Sequence, residues 1–199
     1  AQNEKRLIFR CRAKPIREKR GAEMDKGTVH IYCGKGKGKT TAAIGQAIKA
    51  ACEGRNVVFI EFLKAKEEDE LGFLKRLEPE IKVFRFEKFQ ESFDELPEEK
   101  RAEEIQNMKN ALNFARKVLV TEECDVLILD EVLGLIPYGI AGEAELRNLL
   151  EVRSASTDLY MTGVYGAREI WDAVDEVTEL VAHKSLPAPD KTAVDKENQ

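Results

Sequence analysis

The sequence predicts a three-layer α/β domain built on a mainly parallel sheet, and three observations predict it. Short apolar, β-branched runs alternate with helix-spaced segments, the order that buries a parallel sheet under helices on both faces. A turn rich in glycine and lysine, Cys33 to Thr41, stands between the first such run and the first helical segment. Further on, Val126-Leu127-Ile128-Leu129, the most apolar short run of the chain, ends on Asp130-Glu131.

Taken in order, Thr28 to Tyr32 is a β-branched and aromatic run leading into the turn. Thr40 to Cys52 is alanine-rich with helical spacing (Ala43, Ala47, Ile48, Ala51) and stops at Gly54. Val57 to Phe62 is apolar apart from Glu61, the pattern of a strand buried on both faces. Ile81 to Phe86 alternates apolar and basic residues, as a more exposed strand does. Pro97 opens a long helix whose apolar face carries Ile105, Met108, Leu112, Ala115 and Leu119, while Glu98 to Glu104 reads as a solvated face. After the Val126 strand, Leu159 to Thr162 reads as a strand, Ala167 to Val174 as a helix and Val177 to Val181 as the last strand.

The 199 residues fit one domain with tails. We place an N-terminal extension at 1–24, a lid or a non-native stretch ahead of Met24, the domain at 25–184, and a proline- and charge-rich tail at 185–199. A net charge of -5 argues against a general nucleic-acid binder. No run approaches the roughly 20 apolar residues of a membrane span, and the N-terminal residues lack the apolar core of a secretory signal. Cys11, Cys33, Cys52 and Cys124 show neither a CxxC pair nor zinc spacing and read as reduced thiols. The expected location is the cytoplasm.

The turn carries the chemistry. Gly38-Lys39-Thr40 fits the end of the phosphate-loop pattern, with Cys33 in place of the opening glycine and Gly34 one position later. Gly34, Gly36 and Gly38 let the backbone turn several N–H groups toward one point, and the following helix aims its positive end there. Lys39 can then hold a phosphate oxygen, the Thr40 hydroxyl can ligate Mg²⁺, and Thr41, Lys35 and Lys37 add donors. A buried strand that ends on Asp130-Glu131 brings carboxylates to the same sheet edge, where one can hold the metal directly or through water. The fold class is therefore that of a phosphate-loop NTPase-like domain, and ATP is the expected ligand.

These segments resemble the phosphate-loop type of ATP:corrinoid (cob(I)alamin) adenosyltransferase. Gly34 to Ala43 is similar to the family's loop, which also lacks the first glycine. Ile60-Glu61-Phe62-Leu63-Lys64 is similar to Val-Gln-Phe-x-Lys, Leu129-Asp130-Glu131 to Leu-Asp-Glu, and Thr162-Gly163 with Asp175 and Val177-Thr178-Glu179 to the family's Thr-Gly…Asp-x-Val-Thr-Glu end. The resemblance implies a reduced corrinoid whose cobalt attacks the 5′ carbon of ATP and displaces triphosphate, in cobalamin synthesis or salvage. It implies no acid or base residue, leaving-group stabilisation by Lys39, and Mg²⁺ or Mn²⁺ held by Thr40 and Glu131 with Asp130 behind. It also implies a homodimer and an electron-donor reductase that supplies the reduced cobalt.

The departures fall on the corrinoid side. Val164 stands where the family usually has Arg, His183-Lys184 is in reversed order before Ser185-Leu186-Pro187, and the family's Gly-Phe or Gly-Cys segment before the long helix is missing. Phe89 and Phe93 are the nearest aromatics for the corrinoid's lower face. Two alternatives follow: a phosphate-loop ATPase or kinase with Glu131 activating the nucleophile, and a nucleotide-binding regulatory relative that has lost the corrinoid site. Glu61 reads equally as a ligand contact or a satisfied polar residue, Trp171 as helix-to-sheet packing, His30 as structural, and His183 as tail.

Overall fold

The computed structural model describes residues 26–64 and 72–184, so the proposed extension at 1–24, the tail at 185–199 and Cys11 lie outside the described residues. Its sheet runs β1 (Val29–Cys33), β2 (Val57–Glu61), β3 (Ile81–Arg85), β4 (Val126–Asp130), β5 (Asp158–Thr162) and β6 (Glu176–Glu179). All pairings are parallel, in the spatial order β3-β2-β4-β5-β1-β6. The two most apolar predicted strands, β2 and β4, lie side by side in the middle and are buried at every position. β3 and β6 hold the edges, where the alternation of Ile81 to Phe86 and the glutamates of β6 meet solvent.

The strand period of two sorts side chains between the two layers. Val57, Phe59, Val126, Ile128 and Tyr160 face α1 (Lys39–Cys52), whose Ala43, Ala47 and Ala50 let the helix lie close to the sheet. Val58, Ile60, Leu127, Leu129 and Met161 face the other layer, made by α2 (Glu98–Val120) and α3 (Glu143–Val152). Each fully buried Leu, Ile or Phe on these faces contributes about 1.5–3 kcal/mol of transfer free energy.

α2 starts immediately after Pro97, with Glu98 and Glu99 at the positive end of its dipole. It buries Met108, Leu112, Ala115 and Leu119 as expected, with Ile105 partly buried. Glu104 corrects the solvated-face reading of 98–104. It is only 4% exposed, because it turns inward and accepts bonds from the Lys88 N–H at 3.3 Å and the Asn107 amide at 3.1 Å. The segment read as a helix over Ala167 to Val174 is a 3₁₀ helix, Arg168–Ala173. Ala167 enters it in the left-handed region (φ 46°), the Glu169 N–H goes to Glu143, and the Trp171 indole donates to the Gly166 carbonyl at 2.6 Å. These side-chain ties replace an α-helical ladder. Trp171 otherwise packs partly buried against the core, as the sequence suggested. His30 sits within β1, stacked on Tyr160 at 4.9 Å.

β6 is fastened at its start. The Val29 N–H donates to the Asp175 carboxylate at 2.8 Å and the Asp175 N–H returns a bond to the Val29 carbonyl at 2.9 Å. Among the described residues, Cys33, Cys52 and Cys124 form no disulfide, and no helix is long and apolar enough to cross a membrane.

Candidate active site

Every strand is parallel, so every C-terminal strand end opens on one edge of the sheet, and the residues singled out in the sequence gather there. At the end of β1 the loop turns at Gly34 and Gly38, with φ of 100° and 104°. The room at Gly34 and Gly36 is set by the chain that follows β6. A Cβ at Gly34 would stand 2.5 Å from the Leu180 carbonyl oxygen, and one at Gly36 would stand 2.7 Å from it. The Gly36 N–H donates to that carbonyl at 2.8 Å, the Leu180 N–H donates to the Cys33 carbonyl at 2.8 Å, and the Gly34 N–H donates to the Val164 carbonyl at 3.3 Å.

Two loop amides are thus engaged within the protein. The first-turn amides of Lys39, Thr40 and Thr41 have no intrahelical acceptor. No acidic residue stands in that turn to oppose an anion. Lys35 and Lys37 are exposed on the loop. Lys39 arches over it and donates to the Gly34 carbonyl at 2.9 Å and the Gly36 carbonyl at 3.0 Å.

The carboxylate pair sits two strands away, across β5. Asp130 is fully buried and accepts the Thr40 hydroxyl at 2.9 Å and the Thr162 hydroxyl at 2.6 Å. Thr162 in turn accepts the Glu131 N–H at 2.9 Å. Two strand ends, those of β4 and β5, are thereby joined to α1 through one carboxylate. Glu131 occupies the left-handed region (φ 60°). Its Oε2 is buried without a hydrogen-bond partner. Burial holds its carboxyl above the usual range and Asp130 adds to that, while Lys39 and Lys64 oppose it.

The other half of the edge is differently made. Strand register places Glu61 between Arg85 and Asp130. Glu61 is fully buried, with the Arg85 guanidinium 2.5 Å from its carboxylate. Burial nevertheless pushes it up to about 7; Arg85 opposes the shift, and Asp130 and Glu87 reinforce it. Glu87 is likewise pushed up to about 7 by burial. Beyond β3, the Phe93 ring meets Tyr138 edge-on at 4.8 Å, with the Arg101 guanidinium 5.6 Å away. Phe89 lies beneath Lys100 at 5.2 Å and Lys88 at 5.6 Å. β3 and β1 stand four places apart in the sheet, roughly 19 Å at about 4.8 Å per strand. Phe93 reaches, through Tyr138, the segment that follows β4, while Phe89 lies by α2 under Lys100.

Sequence reading missed Thr162 as the partner of Asp130, the Leu180 and Val164 carbonyls, and Arg85 and Glu87 beside Glu61. Thr162 was visible as part of Thr-Gly. The others become neighbours only once strand order is known. His183 is exposed beyond β6.

A parallel sheet that delivers a glycine-lysine loop, its threonine and a carboxylate pair to one edge defines a phosphate-loop nucleotide-binding protein. The particular family follows from comparison with known proteins. The family described as ATP:corrinoid adenosyltransferase BtuR/CobO/CobP matches residues 25–193, and the chain belongs to it. Corrinoid adenosyltransferase CobA of Salmonella typhimurium is 28% identical over 159 residues, covering 80% of this chain and 79% of that protein. A corrinoid adenosyltransferase of Escherichia coli is 27% identical with the same coverage. One of Pseudomonas aeruginosa is 24% identical, over 80% of this chain and 77% of that protein.

Proposed function

We propose that this chain transfers the 5′-deoxyadenosyl group of ATP to the reduced cobalt of a corrinoid. The cobalt lone pair attacks C5′, the C5′–O bond breaks, and its electron pair leaves with triphosphate. No proton moves, so the protein's work is orientation and stabilisation of the departing charge. The observation that carries the reading is the network joining Thr40, Asp130, Thr162 and Glu131 at 2.6–2.9 Å beside Lys39, in a chain of this family.

In this reading the loop residues Gly34 to Gly38, with Lys39, Thr40 and Thr41, cradle the triphosphate. Lys39 exchanges two carbonyl acceptors for phosphate oxygens, and the first-turn amides contribute their unused donors. Thr40 and Glu131 hold Mg²⁺ or Mn²⁺. The orphaned Oε2 of Glu131 fits that role, while Asp130, with both oxygens accepting hydroxyls, positions Thr40. The metal, when bound, neutralises charge on the triphosphate. Phe89 and Phe93 form the corrinoid side. The working protein is a cytoplasmic homodimer fed with reduced corrinoid by an electron-donor reductase, with its catalytic domain at 25–184.

The test is an anaerobic assay with chemically reduced cobalamin, ATP and Mg²⁺, following the corrinoid spectrum and the phosphate product. A light-sensitive adenosylated product with stoichiometric triphosphate, lost in Lys39→Ala, is the expected result. Release of orthophosphate with an unchanged corrinoid would assign the chain to ATP hydrolysis or phosphoryl transfer. ATP binding without either product would make it a regulatory relative.

A further inference from the structure

The connection from β5 to β6 runs along the mouth of the phosphate loop, and it is tied down at four points. Its Val164 carbonyl accepts the Gly34 N–H at 3.3 Å. The Glu143 carboxylate, 9% exposed on α3, accepts the Tyr165 hydroxyl at 2.8 Å and the Glu169 N–H at 2.9 Å. The Gly166 carbonyl accepts the Trp171 indole N–H at 2.6 Å. Between these ties Ala167 is held in the left-handed region at φ 46°, which costs a residue with a side chain about 1–2 kcal/mol. Strain of this kind persists only where the surroundings over-determine it, and it concentrates at functional positions.

What the strained turn presents is Arg168. Its guanidinium lies over the Trp171 ring at 5.4 Å, and the same indole is locked to Gly166, so the stack has a fixed shelf. Arg168 is exposed and, among the described residues, it pairs with no carboxylate. Two of the acids near it are committed elsewhere: Glu143 to Tyr165 and the Glu169 amide, Asp172 to Arg147. Its charge reaches the base of the phosphate loop. The Cys33 thiol is pushed up by burial and by Glu179, and Arg168 and Lys39 are the two cations that oppose this. Val164, at the start of the connection, supplies no charge.

We propose that Arg168 is a polyphosphate-binding residue, a guanidinium held on the Trp171 shelf to contact the triphosphate. A planar fork suits two oxygens of one phosphate, and it carries a charge that no pH in the working range removes. The inference rests on the adenosyltransferase reading for what leaves, but not for what binds. Inorganic tripolyphosphate is the product and carries all the charge Arg168 would recognise.

The experiment is calorimetric titration of the full chain with tripolyphosphate and Mg²⁺, for wild type, Arg168→Ala and Arg168→Lys, with adenosine as the phosphate-free control. Arg168→Ala is expected to weaken tripolyphosphate about 10-fold or more and to flatten its salt dependence, with adenosine binding unchanged and Arg168→Lys intermediate. In the transferase assay the same change raises KM for ATP and lowers kcat. Because Arg168 is exposed, the melting temperature stays at the wild-type value, so the loss reports on the site. Tripolyphosphate affinity within about two-fold of wild type in Arg168→Ala overturns the assignment. If wild type binds tripolyphosphate through Arg168 but transfers no adenosyl group, the assignment stands and the transferase reading falls. If transfer proceeds equally in Arg168→Ala, the assignment alone falls.

Discussion

The two halves of the sheet's C-terminal edge solve different problems with different materials. The β1–β4 half uses a lysine on two main-chain carbonyls and two threonine hydroxyls on one carboxylate, in bonds of 2.6–3.0 Å. The β2–β3 half uses buried carboxyls, Glu61 and Glu87, both pushed up to about 7, with Arg85 and a pair of phenylalanines beyond. The first half is prepared for a large negative charge arriving from water. The second sets carboxyls that burial pushes up beside the Arg85, Lys88, Lys100 and Arg101 cations, and under the proposed function its aromatic rim meets the corrinoid. Under the proposed function, triphosphate and the alkyl-cobalt product would leave opposite halves of the edge.

Removing Lys39 is the most damaging way to break the charged half. Lys39→Ala is expected to lower the adenosyl transfer rate by roughly 10²–10³ while leaving the melting temperature nearly unchanged. A wild-type rate would show that the loop is not the leaving-group site. Asp130→Ala comes next. It strands the Thr40 and Thr162 hydroxyls next to a cavity, so it should cost about 2–4 kcal/mol in a denaturant melt and a transfer rate on the order of 100-fold. Loss of stability with full activity would remove Asp130 from the positioning role.

The other half is tested by pH. Glu61 and Glu87 bind protons more tightly folded than unfolded, so their contribution to stability is fully present below the unfolded value near 4.5. It is lost as pH rises through about 7. Glu61→Gln removes one such group and should flatten the decline between about pH 5 and 7 by up to about 1.4 kcal/mol per pH unit. An unchanged slope would mean that the Arg85 pair keeps Glu61 ionised throughout. Phe93→Ala, the smallest effect, should raise the corrinoid KM several-fold with ATP affinity intact. A change in ATP affinity instead would move Phe93 out of the corrinoid half.

The same contrast explains what the sequence made legible. The charged half is written locally: Cys33 to Thr41 is one contiguous turn between a strand and a helix, and Asp130-Glu131 ends the most apolar run. The parallel sheet and its central strands followed from continuous apolar runs, as β2 and β4 demonstrate. The other half depends on which strands pair. Glu61 faces Arg85 only because β2 and β3 align in register, and no spacing along the chain encodes that. Glu104 was misplaced for the same reason, its inward turn being set by Lys88 on another segment. α3 escaped notice because its apolar stripe is short. Its signal was Glu145, which accepts the Gly142 N–H at 2.8 Å and caps the helix ahead of buried Leu146 and Leu149.

The Leu180 carbonyl that fills the space beside Gly34 and Gly36 belongs to the far end of the described chain, so the nucleotide loop is a late product of synthesis. A ribosome-bound chain that has emitted β1 and α1 carries the whole Cys33–Thr41 motif without the carbonyls that shape it. ATP affinity should therefore appear in one step, when residues through Leu180 have emerged and β6 has docked. Arrested chains ending before Val177 should show none in a filter-binding assay.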